Sequence, residues 1–419
     1  MPESTLPENG GFTRHFARQR VFDYLSEEDR YLTRVQRPQY RFGFIGCGIM
    51  GQEHMLNTRL EGRADIGGVY DPSSRSAHHA LAMLKGTGEQ PQIYASLEEA
   101  VADPATDALI IATPNHTHIE VIRAVAGCDK ALFLEKPIAT NIEDAMEIYR
   151  LLGAHPHYVQ IGLQYRYKAI YREAIQEVFA RRSLGRVFNV SLAEHRFPFL
   201  DKVDQWNKFS TNTGGTLVEK CCHYFDLLTL FAQAVPQRVF ALGHQSVNFR
   251  DFEHSGQTAD GLDNAQVLVD YEGGVTGQFS LNMFTHGSFE ELVINGDRAR
   301  LQATEVERFG DDGQNQVELW SQDLGSSRSV TPTYPAAIAR AGHHGSTFYE
   351  HVALVDGLNN ESNLEFAAAD LTDAVWSVVI AVAAHESIRS GQAVEITSLR
   401  PSDLPDPVGL QLNQTGDSA

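Results

Sequence analysis

Short apolar runs alternate with amphipathic stretches through the first part of the chain. Runs of this kind predict buried strands of a parallel sheet, and the stretches between them predict helices. Repeated strand–helix units favour a doubly wound sheet with right-handed crossovers. We therefore predict an α/β domain over residues 39–162, with strands at 42–45, 66–70, 92–94, 107–112, 131–134 and 157–161.

The pattern changes after about residue 163, where strand-like segments dominate. One helix, predicted over 216–231, is inserted between the first two strands, and helices return at 346–357 and 365–390. This order is typical of an α+β domain with an open, mainly antiparallel sheet. We assign it residues 163–399 and predict its strands at 187–194, 238–246, 265–270, 275–282, 291–294 and 300–302.

The two ends of the chain lie outside these domains. Residues 1–38 mix aromatic residues with arginines, and we interpret them as an extension or arm that packs on a neighbouring subunit. The alternative is a mobile tail. Residues 400–419 are predicted to form a C-terminal tail.

The first predicted strand leads into a glycine-rich turn, Gly46-Cys47-Gly48-Ile49-Met50-Gly51, and a helix-like segment follows. In a Rossmann dinucleotide-binding turn the first glycine permits the tight turn and the second lets the backbone approach a pyrophosphate. The third lets the helix pack closely on the strand, with the anion at the helix N-terminus. A strand, the glycines, a helix and a second strand all occur in that order, so the turn predicts a bound dinucleotide.

The second strand ends at Asp71, at the distance from the glycines that the motif requires. A carboxylate there accepts hydrogen bonds from the adenine-ribose hydroxyls and repels a 2′-phosphate, which favours NAD. Arg75 leaves NADP possible, because a nearby arginine can accommodate the extra phosphate. The cofactor contacts predicted from this region are Gly46, Gly48, Ile49, Met50, Gly51, Asp71 and Arg75.

The composition is that of an acidic globular protein. The 419 residues are 42% hydrophobic and carry a formal net charge of −20. A field of this sign repels a phosphate backbone, and no basic patch is visible, so we predict no nucleic-acid partner. No apolar run has transmembrane length and the first ten residues are polar, so we predict neither a membrane anchor nor a signal peptide.

The four cysteines, two of them adjacent, lack the spacing of a disulfide framework or a zinc site. This favours a reducing, cytoplasmic location. The histidine doublets at 78–79 and 343–344 also lack metal-ligand spacing, and we predict no metal.

The segment 214–226 carries the second chemical signal. On one continuous helix, Glu219 and His223 are four residues apart and share a face. A carboxylate beside an imidazole orients the ring, fixes its tautomer and raises its basicity, as a general base requires. The alternative is a structural pair at a helix surface. Asp226, one turn further on, is interpreted as a structural hydrogen-bonding group.

Taken together, these motifs resemble the Gfo/Idh/MocA family of nicotinamide-dependent oxidoreductases, from about Tyr40 to Ile396. The resemblance implies a Rossmann domain joined to an open antiparallel sheet, which commonly forms the oligomer interface. A homodimer or homotetramer through that sheet is therefore expected. Family members typically oxidise or reduce one ring carbon of a sugar, sugar derivative or cyclitol. The segments that carry the resemblance are the glycine turn, Thr113-Pro114-Asn115-x-x-His118, Glu135-Lys136-Pro137 and Gly214-Gly215 with His223-x-x-Asp226.

The resemblance also implies residue roles. Lys136 would touch the reacting hydroxyl, Glu135 would lie near the nicotinamide ribose, and His223 would be the acid/base. The predicted catalytic set is Lys136, Glu219 and His223. The further cofactor contacts are Thr113, Pro114, Asn115, His118, Glu135, Lys136 and Gln164.

Two residues depart from the family's pattern. Glu219 stands where an aspartate is usual, which lengthens the carboxylate arm by one methylene. Cys221 stands where a glycine is usual, two residues before His223, which narrows the pocket or changes the helix packing. Both changes affect how the neighbouring residues are placed around His223.

Substrate contacts are predicted where the chain follows the last parallel strand or could cover the site. Arg166 follows that strand, Trp206 offers an aromatic face to C–H surfaces, and His343 precedes a helix. Ordinary loop or interface packing is the alternative for each. The predicted substrate set is Lys136, Arg166, His195, Trp206, Asn207, His223 and His343.

The resulting hypothesis is an NAD(P)-dependent sugar or inositol dehydrogenase. One alternative is a redox-neutral glycosidase or lyase that acts through a transient keto-sugar while NAD stays bound. The other is a non-catalytic sensor that binds NAD or a sugar. Retention of Lys136, His223 and a carboxylate at 219 disfavours the sensor.

Overall fold

The computed structural model describes residues 38–84, 91–307, 313–321, 327–360 and 368–407. The predicted N-terminal arm, apart from Pro38, lies outside the described residues, as do residues 408–419 of the predicted tail. Residues 400–407 are packed: Leu404 is buried, and Trp376 Nε1 donates a hydrogen bond to the Pro405 carbonyl at 2.9 Å. A free tail therefore cannot begin before residue 408.

The first sheet has six parallel strands in the order β3-β2-β1-β4-β5-β6. The central strands are apolar runs, and their side chains are buried on both faces of the sheet, as in a parallel sheet covered by helices. The strand order reverses between β1 and β4, and ligands of doubly wound sheets bind at this reversal, beyond the carboxyl ends of the strands. The strands are β1 (Tyr40–Ile45), β2 (Ala64–Tyr70), β3 (Gln92–Ile93), β4 (Ala108–Ile111), β5 (Ala131–Glu135) and β6 (Val159–Gly162).

Helices connect these strands, and their ends are fixed by local residues. The first begins directly after Gly48 and ends at Gly62, which adopts the left-handed conformation that favours glycine. Ser73 and Asn141 accept hydrogen bonds from backbone N–H groups at the starts of the second and fifth. The helices are α1 (Ile49–Glu61), α2 (Ser74–Met83), α3 (Leu97–Ala102), α4 (His118–Val125) and α5 (Ile142–Gly153).

The second sheet has nine described strands in the order β16-β15-β14-β13-β7-β12-β11-β8-β17. Among them β7 and β12 pair in parallel and the other neighbours are antiparallel, so the predicted open, mainly antiparallel sheet is confirmed. The strands are β7 (Val187–His195), β8 (Pro236–His244), β11 (Asn264–Tyr271), β12 (Thr276–Asn282), β13 (Ser288–Gly296), β14 (Ala299–Glu307), β15 (Gln314–Ser321), β16 (Ser327–Val330) and β17 (Val394–Glu395), with a separate hairpin of β9 (Glu253–His254) and β10 (Gln257–Thr258).

Helices cover one face of this sheet. α12 packs on β8 and on α9, and the three elements share one buried apolar core. α12 is long and apolar enough to cross a membrane, but 72% of its most apolar stretch is buried inside the fold, as is typical of a core helix. The helices are α6 (Ala169–Ile175), α7 (Ser210–Thr213), α8 (Thr216–Glu219), α9 (Cys222–Ala232), α10 (Ala336–Ala339), α11 (Ser346–Leu358) and α12 (Leu371–Ser390).

The single helix predicted over 216–231 is wrong. The chain forms α8 and α9, and the helical geometry is interrupted at Lys220 and Cys221, where Cys221 has φ −86° and ψ −3°. Because the two helices are separate, positions 219 and 223 do not have the fixed relation of neighbours on one helix face. Glu219 and His223 therefore have different neighbours from those that a single helix would give them.

Candidate active site

The glycine-rich turn forms a cradle at the N-terminus of α1. Gly46 has φ +97°, and a Cβ atom there would lie 2.5 Å from the Ala112 carbonyl oxygen. A Cβ atom at Gly51 would lie 2.0 Å from the Gly46 carbonyl oxygen, whereas at Gly48 nothing lies within 4 Å. The turn therefore needs glycine at 46 and 51, and Gly48 leaves room for a ligand's phosphates to approach the backbone.

A cleft of about 870 Å³ extends from this turn toward the second domain. Both domains contribute to its walls, which is typical of dinucleotide and substrate sites. The predicted cofactor residues that line it are Gly46, Gly48, Ile49, Met50, Asp71, Thr113, Pro114, Asn115, Glu135 and Lys136.

Asp71 lies at one wall of the cleft and is held by the backbone. Its two carboxylate oxygens accept hydrogen bonds from Cys47 N and Ser73 N, each at 2.8 Å. Partial burial raises the pKa of Asp71, although these hydrogen bonds oppose that shift. Arg75 is exposed on α2 and is not among the residues that line the cleft, although Ser73 and Ser76 on either side of it are.

His118 and Gln164 do not line the cleft, contrary to the prediction. His118 is buried between two loops, with its ring nitrogens 2.9 Å from the Pro137 carbonyl and 3.0 Å from the Thr113 carbonyl. Gln164 is buried and accepts a hydrogen bond from Thr347 Oγ1 at 2.6 Å. Both residues hold neighbouring segments in place behind the cleft.

Glu135 and Lys136 close the inner end of the cleft where β5 ends. Glu135 Oε1 lies 2.7 Å from His54 Nε2, and its Oε2 accepts a hydrogen bond from Lys136 N at 3.0 Å. Burial raises the pKa of Glu135, but the hydrogen bond and charge of His54 outweigh it, so the pKa is lowered overall. Lys136 Nζ donates to the backbone carbonyl of Glu219 at 3.2 Å, which joins the two domains beside the predicted acid/base.

His223 lies on α9 and is 2% exposed. Its ring stacks on Tyr165 with centroids 4.0 Å apart, and among the described residues none hydrogen-bonds to its Nδ1. Burial lowers the pKa of His223 well below its ordinary value, and the positive charges of Lys136 and Lys220 lower it further. The imidazole is therefore neutral at physiological pH and can accept a proton.

The predicted hydrogen bond between Glu219 and His223 does not form. The Glu219 carboxylate instead pairs with Lys202, whose Nζ donates to Oε1 at 3.0 Å, and among the described residues none hydrogen-bonds to Oε2. Lys202 lies on the loop after β7 that covers the cleft, with Val203, Asp204 and Trp206 also in the cleft wall. The sequence predicted an anion that raises the basicity of His223. In the structure, burial and the nearby lysines lower the basicity of His223 instead.

Three residues that the sequence did not single out complete this region. Lys220 Nζ donates to Tyr165 Oη at 2.5 Å and forms an ion pair with Glu194 Oε1 at 3.0 Å. Burial lowers the pKa of Lys220 to about 8, although the charge of Glu194 opposes that shift. The sequence signal that could have identified Lys220 is its place three residues before the predicted base, His223.

Two of the predicted substrate contacts reach the site. Trp206 lines the cleft near His116, and Lys202 Nζ lies 4.4 Å from its ring centroid. His343 is partly exposed, and its Nδ1 lies 2.6 Å from Glu53 Oε1. The ring centroid of His343 lies 6.4 Å from that of Tyr165, the residue on which His223 stacks.

Arg166, Asn207 and His195 were also predicted as substrate contacts, but their side chains make contacts within the fold. Arg166 is buried in ion pairs with Asp226 and Asp373, at 2.5 and 2.9 Å, and these charges raise its pKa despite burial. Asn207 Nδ2 donates to the Leu200 carbonyl at 3.0 Å. His195 packs against Phe289 at the end of β7 and is not among the residues lining the cleft.

A buried acidic cluster lies behind Glu135. Ligand-type atoms of His54, Glu135 and Glu350 lie within 4.8 Å of one another, and His54 Nδ1 is 2.9 Å from His351 Nε2. Among the described residues none hydrogen-bonds to either carboxylate oxygen of Glu350. The sequence gave no signal for this cluster, and the absence of a metal stays a prediction.

Comparison with protein families gives two adjoining matches. Residues 40–163 match the Gfo/Idh/MocA model described as an oxidoreductase family with an NAD-binding Rossmann fold, and residues 176–396 match the C-terminal alpha/beta domain of the same family. Together the two matches span most of the described residues, and they confirm the resemblance that the sequence motifs indicated.

Two characterised relatives illustrate the sequence similarity. The 1,5-anhydro-D-fructose reductase of Ensifer adhaerens is 24% identical over 359 residues, covering 85% of this chain and 98% of that protein. Inositol 2-dehydrogenase 1 of Paenarthrobacter aurescens is 26% identical over 263 residues, covering 61% of this chain and 73% of that protein.

Solved structures show the same fold. Levoglucosan dehydrogenase in complex with NADH has a TM-score of 0.68 at 17% identity, covering 85% of this chain and 99% of that one. GenD2 from gentamicin A biosynthesis, in complex with NAD, has a TM-score of 0.67 at 20% identity, covering 86% and 97%. From its motifs, its two domains and these matches, the chain is a member of the Gfo/Idh/MocA family of NAD-binding oxidoreductases.

Proposed function

We propose that the protein transfers a hydride between a ring carbon of a sugar, sugar derivative or cyclitol and the nicotinamide of NAD. The observation that carries this proposal is the contact of Lys136, which lines the inner end of the cofactor cleft, with the backbone carbonyl of Glu219 at 3.2 Å, four positions before His223. His223 itself is buried and is not among the residues that line the cleft. The cyclic polyols and sugar derivatives in the names of the relatives support this substrate class.

In this proposal Lys136 stabilises charge on the substrate and His223 transfers the proton. When bound, the nicotinamide supplies the hydride acceptor or donor. During oxidation the Lys136 ammonium stabilises negative charge that develops on the substrate oxygen. The neutral imidazole of His223 accepts the hydroxyl proton, and in the reverse direction it returns that proton.

Glu219 acts in this proposal as a positioning residue. Its backbone carbonyl holds Lys136, and its carboxylate holds Lys202 on the loop that covers the cleft. Trp206, on the same loop, presents a ring to the cleft that can pack on the C–H face of a sugar. His343 is retained as a substrate contact, whereas Arg166, Asn207 and His195 are not.

NAD is preferred over NADP in this proposal. Asp71 presents a carboxylate where the adenine ribose binds, and Arg75 stays outside the cleft lining. A 2′-phosphate would therefore meet a negative charge without a compensating arginine.

The oligomer is proposed to form through the uncovered face of the second sheet. Large apolar side chains alternate there with buried ones and are strongly exposed: Phe188 (41%), Leu242 (56%), Leu268 (52%) and Trp320 (36%). A second copy of the chain can cover this face, as the family resemblance implies. Light scattering should give a dimer or tetramer that dissociates in the Leu242→Lys, Leu268→Lys variant, and a wild-type monomer would contradict the proposal.

A panel of inositols, aldopyranoses and glycosides, each with NAD and with NADP, tests the function. NADH fluorescence with one ring class supports the dehydrogenase. Glycoside cleavage without net NADH would move the assignment to the redox-neutral glycosidase. Binding of NAD with no reaction across the panel would favour the sensor. The proposed location of the enzyme is the cytoplasm.

A further inference from the structure

We propose that Lys220 is a positioning residue that keeps His223 in its neutral, proton-accepting form. This inference rests on the proposed function, and it assigns to Lys220 the control of His223 that the sequence suggested for Glu219. Lys220 lies at the break between α8 and α9, directly after the last residue of α8.

The position of Lys220 is fixed by two contacts. Its Nζ donates to Tyr165 Oη at 2.5 Å and pairs with Glu194 Oε1 at 3.0 Å, and the residue is only 6% exposed. Tyr165 in turn stacks on His223 with a ring separation of 4.0 Å and an interplanar angle of 4°. The ammonium is therefore held beside the aromatic pair that contains the imidazole.

A cation held in this place opposes protonation of His223. Burial and the charge of Lys136 lower the pKa of the imidazole, and the positive charge of Lys220 lowers it further, because like charges in one buried cluster repel each other. A protonated imidazole cannot accept the substrate's proton, so the neutral form is the active one for oxidation.

Lys220 stays charged over the range that matters. Glu194 pairs with it, and its pKa of about 8 lies above that of His223, which is lowered well below its ordinary value. Lys220 therefore carries its proton throughout the titration of His223. The titratable and charged groups that face this cluster are Lys136, Lys168, Glu194, Arg196, Lys202, Glu219, Glu290, His343, Tyr165 and Tyr224.

The test measures the titration of His223 directly. Protein with ¹³C-labelled histidine is followed by NMR against pH, and the His223→Gln variant identifies the signal among the 17 histidines. In Lys220→Met the pKa of His223 should rise by about one unit, a tenfold change in the protonation equilibrium. Lys220→Arg should leave it near the wild-type value, because the charge is kept.

A matched control separates charge from the loss of a buried lysine. Lys130 is also buried, and its Nζ donates to the carbonyls of Asp103 and Thr106 at 2.6 and 2.8 Å, away from this cluster. Lys130→Met should leave the His223 titration unchanged. If Lys220→Met does not fold, Lys220→Gln replaces it, because its amide can still donate to Tyr165 or Glu194.

Either of two results would overturn the inference. One is a folded Lys220→Met or Lys220→Gln protein in which His223 titrates as in the wild type. The other, which needs no variant, is a wild-type His223 that titrates near the ordinary histidine value of about 6.5. Neither readout needs a substrate, so a shifted titration with no polyol oxidation would reject the proposed function and leave this inference standing.

The kinetic counterpart follows once a substrate is known. The acidic limb of kcat against pH should move about one unit toward higher pH in Lys220→Met and stay in place in Lys220→Arg. A lower kcat with an unmoved limb would mean that Lys220 only packs, and would contradict the inference.

Discussion

The ring of His223 lies parallel to the ring of Tyr165, with centroids 4.0 Å apart and planes within 4°. Tyr165 lies just after β6, the last strand of the first sheet, whereas His223 lies on α9. The imidazole packs against an aromatic ring, and burial together with the charges of Lys136 and Lys220 lowers its pKa.

Removing the stack should impair catalysis more than removing the Tyr165 hydroxyl. We expect kcat of Tyr165→Leu to fall by at least about tenfold relative to Tyr165→Phe, because only phenylalanine keeps the ring that positions His223. Steady-state kinetics together with NAD titration measure this. Equal kcat values for the two variants would show that the stack does not position the base.

The two ends of the predicted Glu219–His223 pair should behave differently. His223→Gln should lower kcat by about 10²- to 10⁴-fold, as expected for loss of a general acid/base. Glu219→Gln should lower kcat by less than about tenfold, because its backbone carbonyl still holds Lys136 and only the Lys202 contact weakens. Comparable losses in both variants would restore a direct role for the Glu219 carboxylate.

Asp71 should set the cofactor preference. Asp71→Ala removes the carboxylate that we propose to face the adenine ribose, and we expect the NAD dissociation constant to rise by about tenfold, or 1.4 kcal/mol. Affinity for NADP should rise, since the repulsion of its 2′-phosphate is lost. Fluorescence titration with both cofactors checks this, with Asp65→Ala on the same strand as the control. An unchanged ratio of the two affinities would place the adenine ribose elsewhere.

Arg166 should matter for stability and not for substrate affinity. Its ion pairs with Asp226 and Asp373 are buried, so Arg166→Met leaves buried carboxylates unpaired and should cost about 3–5 kcal/mol of unfolding free energy. Arg150→Met breaks an exposed arginine–aspartate pair with Asp403 and should leave the unfolding free energy nearly unchanged. Urea unfolding measures both. A stable Arg166→Met protein with a raised KM would instead support the original substrate role.

Glu350 should make stability depend on pH. Burial, with the charges of Glu135 and Glu53, raises the pKa of Glu350 well above its ordinary value. A raised pKa in the folded state means that the stability Glu350 contributes is fully present below its unfolded-state pKa of about 4.5 and is lost as pH rises through the folded-state value. The unfolding free energy of Glu350→Gln should therefore exceed that of the wild type increasingly as pH rises. A difference that does not vary with pH would show that Glu350 titrates normally.

Local sequence signals were sufficient for the fold and for the cofactor cleft. The apolar runs located the strands, and the glycine turn with Asp71 located the cleft, because each signal lies within a short segment. The ion pair of Arg166 could not be predicted, since its partner Asp226 lies 60 positions away and their pairing depends on the assembled fold.

The chemistry around His223 was missed for a related reason. The segment 216–231 has the composition of one helix, and nothing in it marks the break at Lys220 or the pairing of Glu219 with Lys202. The cluster behind Glu135 joins α1 to α11, with His54 and His351 separated by 297 positions. Contacts over such distances are set by tertiary packing, which a local pattern does not encode.

The most direct test of the account is NADH formation by the wild type and by His223→Gln across one panel of inositols, aldopyranoses and glycosides. We predict that the wild type oxidises one ring class, and that His223→Gln binds NAD with unchanged affinity but forms NADH at least about 100-fold more slowly. Equal rates in the two proteins would contradict the role of His223. A wild type that binds NAD and neither oxidises nor cleaves any member of the panel would contradict the proposed reaction.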